Sequence, residues 1–207
     1  MKTLTQAFYL KDGIWVAKNL LGKIMIRVDE GKIYPFKIVE TEAYMGIEDK
    51  GAHVFGDKRT PRTAPLYEMG GTTYIYLIYG MYHCLNIAAN EVGTPHCVLI
   101  RAVEPMNESA VEYAKSNRNI KSKKLKDLTN GPGKLCKALK IDKSLNGKSV
   151  LEMQRDDQNA LWIAENEEET SFEIIESKRI NIPYAEEDQD RLWRFYIKDN
   201  PFVSVID

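Results

Sequence analysis

Three apolar segments joined by short turns constrain the fold of this 207-residue chain more than any other feature. They are TTYIYLIYG (72–80), CLNIAAN (84–90) and HCVLIRAVEP (96–105), each rich in β-branched or aromatic residues. Such residues are typical of strands, and NEVGTP, between the second and third segments, indicates a hairpin turn. The pattern predicts an antiparallel sheet.

Further segments add strands and helices to this sheet. Additional strands are predicted at KIMIRV (23–28), YPFKIVETEAY (34–44), FEIIESKRINI (172–182), WRFYI (193–197) and FVSVI (202–206). Helices are predicted between Leu4 and Leu20, within ESAVEYAKSNR (108–118) and from KLCKALKI (134–141). The mixture predicts the α+β class, with residues 1–207 forming a single domain built on a curved antiparallel β-sheet with surrounding helices.

Composition indicates the cellular compartment and the kind of partner. No run of about 18 apolar residues occurs, so we expect no membrane span. The N-terminus has polar and charged residues every few positions and lacks an uninterrupted apolar segment, so we expect no secretory signal. Cys84, Cys97 and Cys136 form no CxxC pair, which favours a reducing, intracellular compartment. Residues 1–150 hold 23 Lys and Arg against 15 Asp and Glu, whereas residues 151–207 hold 6 against 15. This asymmetry is typical of a polyanion binder, although solvated loops would give the same pattern.

Residues 38–62 contain the first candidates for chemistry. Glu40 and Glu42 share one face of the predicted strand IVETEAY, where they are either functional or ordinary surface carboxylates. A long irregular loop, MGIEDKGAHVFGDKRTPR, follows, and its KRTPR core is suited to binding a phosphate. NGPGK (130–134) opens a predicted helix and offers a second phosphate site, but it lacks the spacing of a Walker A loop.

A zinc site is the main alternative chemistry. His83-Cys84 and His96-Cys97 are pairs of ligand-type residues, and His53 lies alone in the long loop. Adjacent strand residues point to opposite faces, so each pair supplies one ligand, and no second motif completes a site. We therefore expect no metal and no cofactor.

Five motifs in order resemble the alkyladenine (3-methyladenine) DNA glycosylases. They are IVETEAYMGIEDKGAH, RTPR, YIYLIYGMYHCLN, VLIRAVEP and NGPGKLCKAL, and a weaker match runs through KRINI and RFYIKDNPFVSVID. The resemblance implies a monomeric enzyme that flips an alkylated or deaminated purine out of double-stranded DNA and hydrolyses its glycosidic bond, leaving an abasic site.

The resemblance also implies roles for individual residues. In the reaction, Glu42 activates the attacking water, and Arg101 and the Ile180 carbonyl help to hold that water. In the base pocket, Tyr44, His53 and Tyr76 surround the flipped purine and Asn86 excludes guanine, while His53 can also donate a hydrogen bond to hypoxanthine. In the duplex, Tyr79 fills the gap left by the base. The residues implied to contact phosphates are Arg59, Arg62, Met81 (through its backbone), Tyr82 and Lys134.

Two features depart from the family pattern. Asn181 stands where the family usually has glycine, and the lysine-rich segment 115–126 has no implied role. Two other functions remain open: a non-catalytic nucleic-acid-binding module of the same fold, and a zinc-dependent hydrolase. The short N-terminus favours a bacterial enzyme of the cytoplasm, while a eukaryotic one would be nuclear.

Overall fold

The computed structural model describes residues 1–153, 157–168 and 171–206. Within these ranges, antiparallel strands form one sheet in the order β3-β4-β5-β2-β1-β6, and β8 joins β2 to β7. The strands are β1 (Ile24–Asp29), β2 (Lys32–Tyr44), β3 (Thr73–Ile78), β4 (Tyr82–Ala89), β5 (His96–Pro105), β6 (Asn159–Ala164), β7 (Ile174–Ser177) and β8 (Arg194–Ile197). The predicted α+β class and antiparallel sheet are confirmed.

Four short α-helices cover the sheet in the described residues. They are α1 (Gln6–Tyr9), α2 (Gly13–Leu20), α3 (Glu108–Ser116) and α4 (Pro132–Ala138), each close to a predicted helix. Short 3₁₀ segments lie at Gly46–Glu48, Ala64–Tyr67, Leu125–Leu128, Lys143–Leu145 and Pro183–Asp190, the last of them interrupted by a kink at Glu186. Local capping explains two helix starts: Asp12 accepts a hydrogen bond from the Trp15 amide, and Asn107 accepts one from the Ala110 amide.

Three details of the predicted elements are wrong. The strand predicted at 172–182 ends at Ser177, and 202–206 is not a strand. In both places the backbone is used elsewhere: the Ile180 amide donates to Glu42 and the Ser204 amide donates to Glu40. Strand β6 was not predicted, although ALWIA within it is a short apolar run of the kind that buried strands have.

Strand β2 is the centre of the sheet. It pairs with β5 along most of its length, while its first half pairs with β1 and Glu40–Glu42 pair with β8. Register shifts between Ile38 and Thr41 mark a bulge, which is where this strand passes from one neighbour to the other. On the other face of the strand, the Thr41 hydroxyl donates to the Ala17 carbonyl in α2.

A buried charged network closes around the β2 bulge. The Glu40 carboxylate, fully buried, accepts hydrogen bonds from Arg101 Nε at 3.0 Å and Arg194 Nη1 at 3.1 Å. It also accepts from the amide and the hydroxyl of Ser204, at 2.7 and 2.9 Å. Glu40 therefore ties β2, β5, β8 and the C-terminal segment together, and it is not the solvated surface carboxylate of the alternative interpretation.

We predict that Glu40→Ala lowers the free energy of unfolding by about 3–5 kcal/mol, because it removes the buried carboxylate that Arg101 and Arg194 share. Urea denaturation followed by circular dichroism measures this. Glu176→Ala is the matched control, since the Glu176–Lys18 ion pair is largely exposed and such pairs contribute about 0–1 kcal/mol. Equal effects of the two substitutions would contradict the role given to Glu40.

Candidate active site

Glu42 is a fully buried carboxylate held by three donors. Its Oε1 accepts the Ile180 amide at 2.7 Å and lies 3.2 Å from Arg101 Nη1. Its Oε2 accepts the Tyr44 hydroxyl at 2.9 Å. These donors come from β5, from the chain after β7 and from β2 itself, so the carboxylate is oriented by three separate parts of the fold.

Arg101 bridges Glu42 and Glu40. Burial alone would lower the pKa of this guanidinium, but the charges of Glu42 and Glu40 more than reverse the effect and raise it. Arg101 therefore stays charged beside Glu42. The bridge makes the orientation of Glu42 depend on the same network that closes the β2 bulge.

An aromatic cavity lies next to Glu42, beyond the Tyr44 hydroxyl. It is lined by residues from the long loop, from β3 and β4 and from the C-terminal region; among them are Tyr44, His53, Tyr74, Tyr76, Asn86 and Tyr184. All four residues predicted to form the base pocket are thus neighbours. Tyr74 and Tyr184 were not predicted to take part. Tyr74 was detectable, because it lies two residues from Tyr76 and so shares its strand face.

The rings of the cavity are in mutual contact. His53 and Tyr76 meet edge to face with centroids 4.6 Å apart, and Tyr74 and Tyr76 are 5.3 Å apart. A flat base stacked on both sides needs about 7 Å between the flanking rings, two contacts of about 3.5 Å. The cavity is therefore closed to a base sandwiched between His53 and Tyr76, and such a ligand would have to separate them.

His53 is held by Tyr74 and is uncharged at neutral pH. Its Nδ1 lies 2.9 Å from the Tyr74 hydroxyl. Burial first, and then the charge of Arg62, lower the pKa of His53 to about 4. A neutral imidazole keeps one N–H donor and one acceptor, which is the state needed to exchange specific hydrogen bonds with a ligand.

Asn86 forms part of the cavity wall from strand β4. Its side-chain amide donates to the Tyr74 carbonyl at 3.1 Å, across the β3–β4 pair. This bond fixes the side chain within the sheet. A group fixed in this way limits the size of any ligand by steric contact.

A strained hairpin turn connects β3 to β4. Tyr79 and Gly80 both have positive φ, 52° and 69°, and the Met81 amide donates to the Ile78 carbonyl at 3.2 Å. Two consecutive residues with positive φ are typical of a type I′ turn, and Gly80 adopts this geometry without strain. Tyr79 adopts it at a cost, and this residue is 76% exposed. The turn therefore carries an exposed tyrosine in a backbone conformation that tyrosine rarely adopts.

The residues predicted to contact phosphates are exposed and form two groups. Arg62 lies at the cavity, 5.2 Å from the Tyr76 ring centroid, and Arg59 stacks on Tyr67 at 4.1 Å. Near the hairpin, Met81 and Tyr82 are exposed, and Gly133 of α4 leaves room for the Tyr82 side chain. Lys134 follows Gly133, and its Nζ donates to Asn130 Oδ1.

Arg179 is a site residue that sequence reasoning missed. Its guanidinium forms two hydrogen bonds with Asp49, at 2.6 and 2.8 Å, and both side chains are fully buried. It also lies 4.8 Å from the Tyr44 ring centroid and 4.9 Å from that of Trp193. The pair fastens the long loop to the segment that carries Ile180. Arg179 belongs to the KRINI motif, but nothing in that motif indicates Asp49 as its partner.

The geometry at Ile180 and Asn181 explains the departure from the family glycine. The Ile180 amide, rather than its carbonyl, makes the observed contact with Glu42. Asn181 follows with a φ of 60°, in the left-handed region that glycine favours. Asparagine is among the few other residues that adopt this conformation readily. The substitution therefore preserves the backbone path that aims Ile180 at Glu42.

In the residues that the structure describes, no group of three or more His, Cys, Asp and Glu side chains is arranged to hold a metal ion. No helix in the same ranges has the length and apolar character to cross a lipid bilayer. Cys84, Cys97 and Cys136 are buried free thiols.

The chain matches a known protein family over most of its length. The model of the methylpurine-DNA glycosylase family matches residues 7–201. The chain belongs to that family. It is therefore placed among the DNA glycosylases, hydrolases of N-glycosyl bonds that act on DNA.

Curated bacterial relatives match nearly end to end. A Clostridioides difficile protein is 52% identical over 92% of this chain and 98% of its own length. A Clostridium novyi protein is 50% identical over 99% of both chains, and one from Natranaerobius thermophilus is 46% identical over 98% of both. Each carries the name "Putative 3-methyladenine DNA glycosylase".

We predict that His53 makes the stability of this DNA glycosylase depend on pH. In the unfolded chain a histidine titrates near about 6.5. Between that pH and about 4 the unfolded state binds a proton that native His53 does not, so stability falls as the pH falls through this window. Denaturant unfolding at pH 7 and 4.5 should show a larger loss for the wild type than for His53→Gln. Equal losses of stability in the wild type and His53→Gln would show that the pKa of His53 is the same in the folded and unfolded states.

Proposed function

We propose that this DNA glycosylase excises alkylated or deaminated purines, such as 3-methyladenine, hypoxanthine or etheno-adenine, from double-stranded DNA. The observation that carries the proposal is the buried Glu42 carboxylate, held by Arg101, Tyr44 and Ile180 directly behind an aromatic cavity. Relatives named for 3-methyladenine support the substrate class. Because the relatives are bacterial, we expect the enzyme to act in the cytoplasm. We also expect it to be a monomer.

The proposed reaction is hydrolysis at C1′ of the deoxyribose. The bond between C1′ and the purine nitrogen breaks with its electron pair going to the base, and positive charge develops on the sugar, as in glycoside hydrolysis. Glu42 takes a proton from the attacking water, whose oxygen bonds to C1′. The negative carboxylate also stabilises the developing cation. Arg101 keeps Glu42 oriented during this step, and the reaction needs no added oxidant or reductant.

Access to Glu42 depends on Tyr44, whose hydroxyl occupies Oε2, while His53 and Tyr76 meet edge to face. We infer that an entering purine stacks among Tyr44, His53 and Tyr76, and that a water takes over part of the hydrogen bonding of Glu42. Base–aromatic stacking of about 1–3 kcal/mol per base would offset part of the cost of unpairing the nucleotide.

Selectivity would arise from the cavity wall. Asn86, fixed by the Tyr74 carbonyl, would collide with the exocyclic amine of guanine. Neutral His53 has an N–H that could donate to the oxygen of hypoxanthine. Lesions that pair weakly would also be extruded at lower cost.

DNA would bind across the hairpin and the exposed basic residues. Tyr79 would enter the stack and fill the space of the flipped nucleotide. Arg59, Arg62 and Lys134 would contact phosphates, together with Tyr82 and the Met81 backbone. The exposure of all these groups is compatible with this role.

We predict that Glu42→Gln lowers base release by about 100-fold or more, because general base catalysis contributes about 10²–10⁴-fold. Single-turnover release from duplexes containing hypoxanthine, etheno-adenine or a methylated purine, without added metal, is the measurement. Binding of the same duplexes should persist, since glutamine keeps the shape. Glu176→Gln is the control at an exposed carboxylate. Undiminished base release by Glu42→Gln would refute the catalytic assignment of Glu42. If the wild type released no base from any of these lesions, the remaining interpretation would be a non-catalytic binding module.

A second prediction concerns the hairpin. Tyr79→Gly should leave the free energy of unfolding unchanged or raise it by up to about 1 kcal/mol, because glycine removes the strain of positive φ. The same change should slow base release from duplex DNA by about 10-fold and affect single-stranded substrate much less, since only a duplex has a gap to fill. Met81→Ala, at the same tip, should change neither quantity. Equal rates for Tyr79→Gly and wild type would exclude the wedge.

A further inference from the structure

The segment after α3 carries a concentrated positive charge without a role in the site described above. Between residues 113 and 141 the chain has nine Lys and Arg against one acidic residue, Asp127. We call residues 117–128 the lysine loop; its four lysines, Lys121, Lys123, Lys124 and Lys126, are all exposed. None of the four forms a salt bridge within the described part of the chain.

Both ends of the lysine loop are fixed to the fold. Arg118 Nη1 donates to the Leu128 carbonyl at 2.9 Å, which closes the loop on itself. The Asn117 side chain donates to the Ala138 carbonyl at 2.9 Å, which fastens the loop to α4. Leu128 is buried in the main core and Ile120 packs against it. The lysines therefore project from an anchored frame, unlike those of a solvated tail.

The single carboxylate of this region is engaged inside the loop. The Ser122 hydroxyl donates to Asp127, and the Asp127 amide donates to the Lys124 carbonyl at 3.0 Å. The Ser122 hydrogen bond first, and then the charges of nearby Lys134, Lys124 and Lys126, lower the pKa of Asp127. Asp127 shapes the loop, and its one negative charge leaves most of the positive charge of the loop uncompensated.

Arg118 connects the lysine loop to the hairpin side of the molecule. It lines one groove with Tyr82, Lys134 and Lys137, next to the turn that carries Tyr79. It also lines a second groove with Lys123 and Lys124. A continuous positive surface thus runs from the base of the hairpin along α4 to the lysine loop, and the tight packing of Gly133 against Tyr82 holds α4 to the hairpin.

We propose that the lysine loop binds the phosphates of duplex DNA flanking the lesion, on the side of the Tyr79 hairpin nearest α4. This rests on the proposed function for the position of the duplex, and it extends the contact surface beyond the nucleotides next to the damaged base. The lysine loop is continuous with Tyr82 and Lys134, and its lysines form no salt bridges in the described residues. Both features favour a polyanion that runs across this surface in one direction. Such contacts position the duplex without reading its sequence.

The test compares two double variants of equal charge. Lys123→Ala/Lys124→Ala removes two of the four lysines of the loop. Lys2→Ala/Lys32→Ala is the matched control: Lys32 starts β2 at its hairpin with β1, and Lys2 lies beside β6, at the sheet edge away from β3 and β4. Circular dichroism and thermal midpoints establish that both variants fold.

Binding to undamaged and lesion-containing duplexes is measured across a range of salt concentrations. For the loop variant we expect weaker binding to both duplexes, and a slope of log affinity against log salt reduced by about 1 for each lost phosphate contact. The control variant should keep the wild-type slope. The lesion divides each duplex into two arms. Shortening the arm that reaches the lysine loop should make the affinities of the loop variant and the wild type equal, whereas shortening the other arm should leave their difference.

The outcomes separate this proposal from the catalytic one. Identical slopes for the loop variant and the wild type on long duplexes would overturn the proposal, whatever the rate of base release. Equal slope changes in both variants would also overturn it, since they would reflect net charge. A reduced slope in the loop variant alone supports it, even if no lesion were excised, and in that case only the catalytic proposal would fall.

Discussion

The ion network at the β2 bulge is the interaction on which the site depends. Glu40 is buried among Arg101, Arg194 and Ser204, and Arg101 carries the connection to Glu42. A buried carboxylate without such partners would be costly, so the two glutamates require two arginines and the C-terminal segment. The stability of the fold and the orientation of Glu42 are therefore two consequences of one network.

Tyr44 covers that carboxylate from the side of the aromatic cavity. Its hydroxyl donates to Glu42, while His53 and Tyr76 are in edge-to-face contact and leave no space for a base stacked between those two rings. In the function we propose, Glu42 becomes accessible only when a purine has entered, which limits its encounter with bulk water. The fully buried Arg179–Asp49 pair beneath Tyr44 supplies a rigid support during this rearrangement.

Two residues with positive φ lie at the candidate site. Tyr79 is held at positive φ on an exposed turn, and Asn181 adopts the same region so that the preceding Ile180 amide reaches Glu42. In the first case the turn exposes a ring to solvent. In the second the backbone conformation orients a donor inward. Asparagine carries this conformation at little cost, whereas tyrosine does not, so of these two residues only Tyr79 is unfavourable for its own backbone.

The α+β class, most of the strands and the family could be predicted from the sequence, because alternation, turn residues and ordered motifs are local properties. The same motifs singled out Glu42, Arg101 and the ring residues as candidates, which the structure brings together. The partners of these groups emerge only in the folded chain: Arg179 with Asp49, Tyr74 with His53, and the backbone of 178–182 and 202–206, which leaves strand pairing to contact Glu42 and Glu40. Those contacts join residues distant in the chain, and no local pattern encodes which buried donor meets which carboxylate.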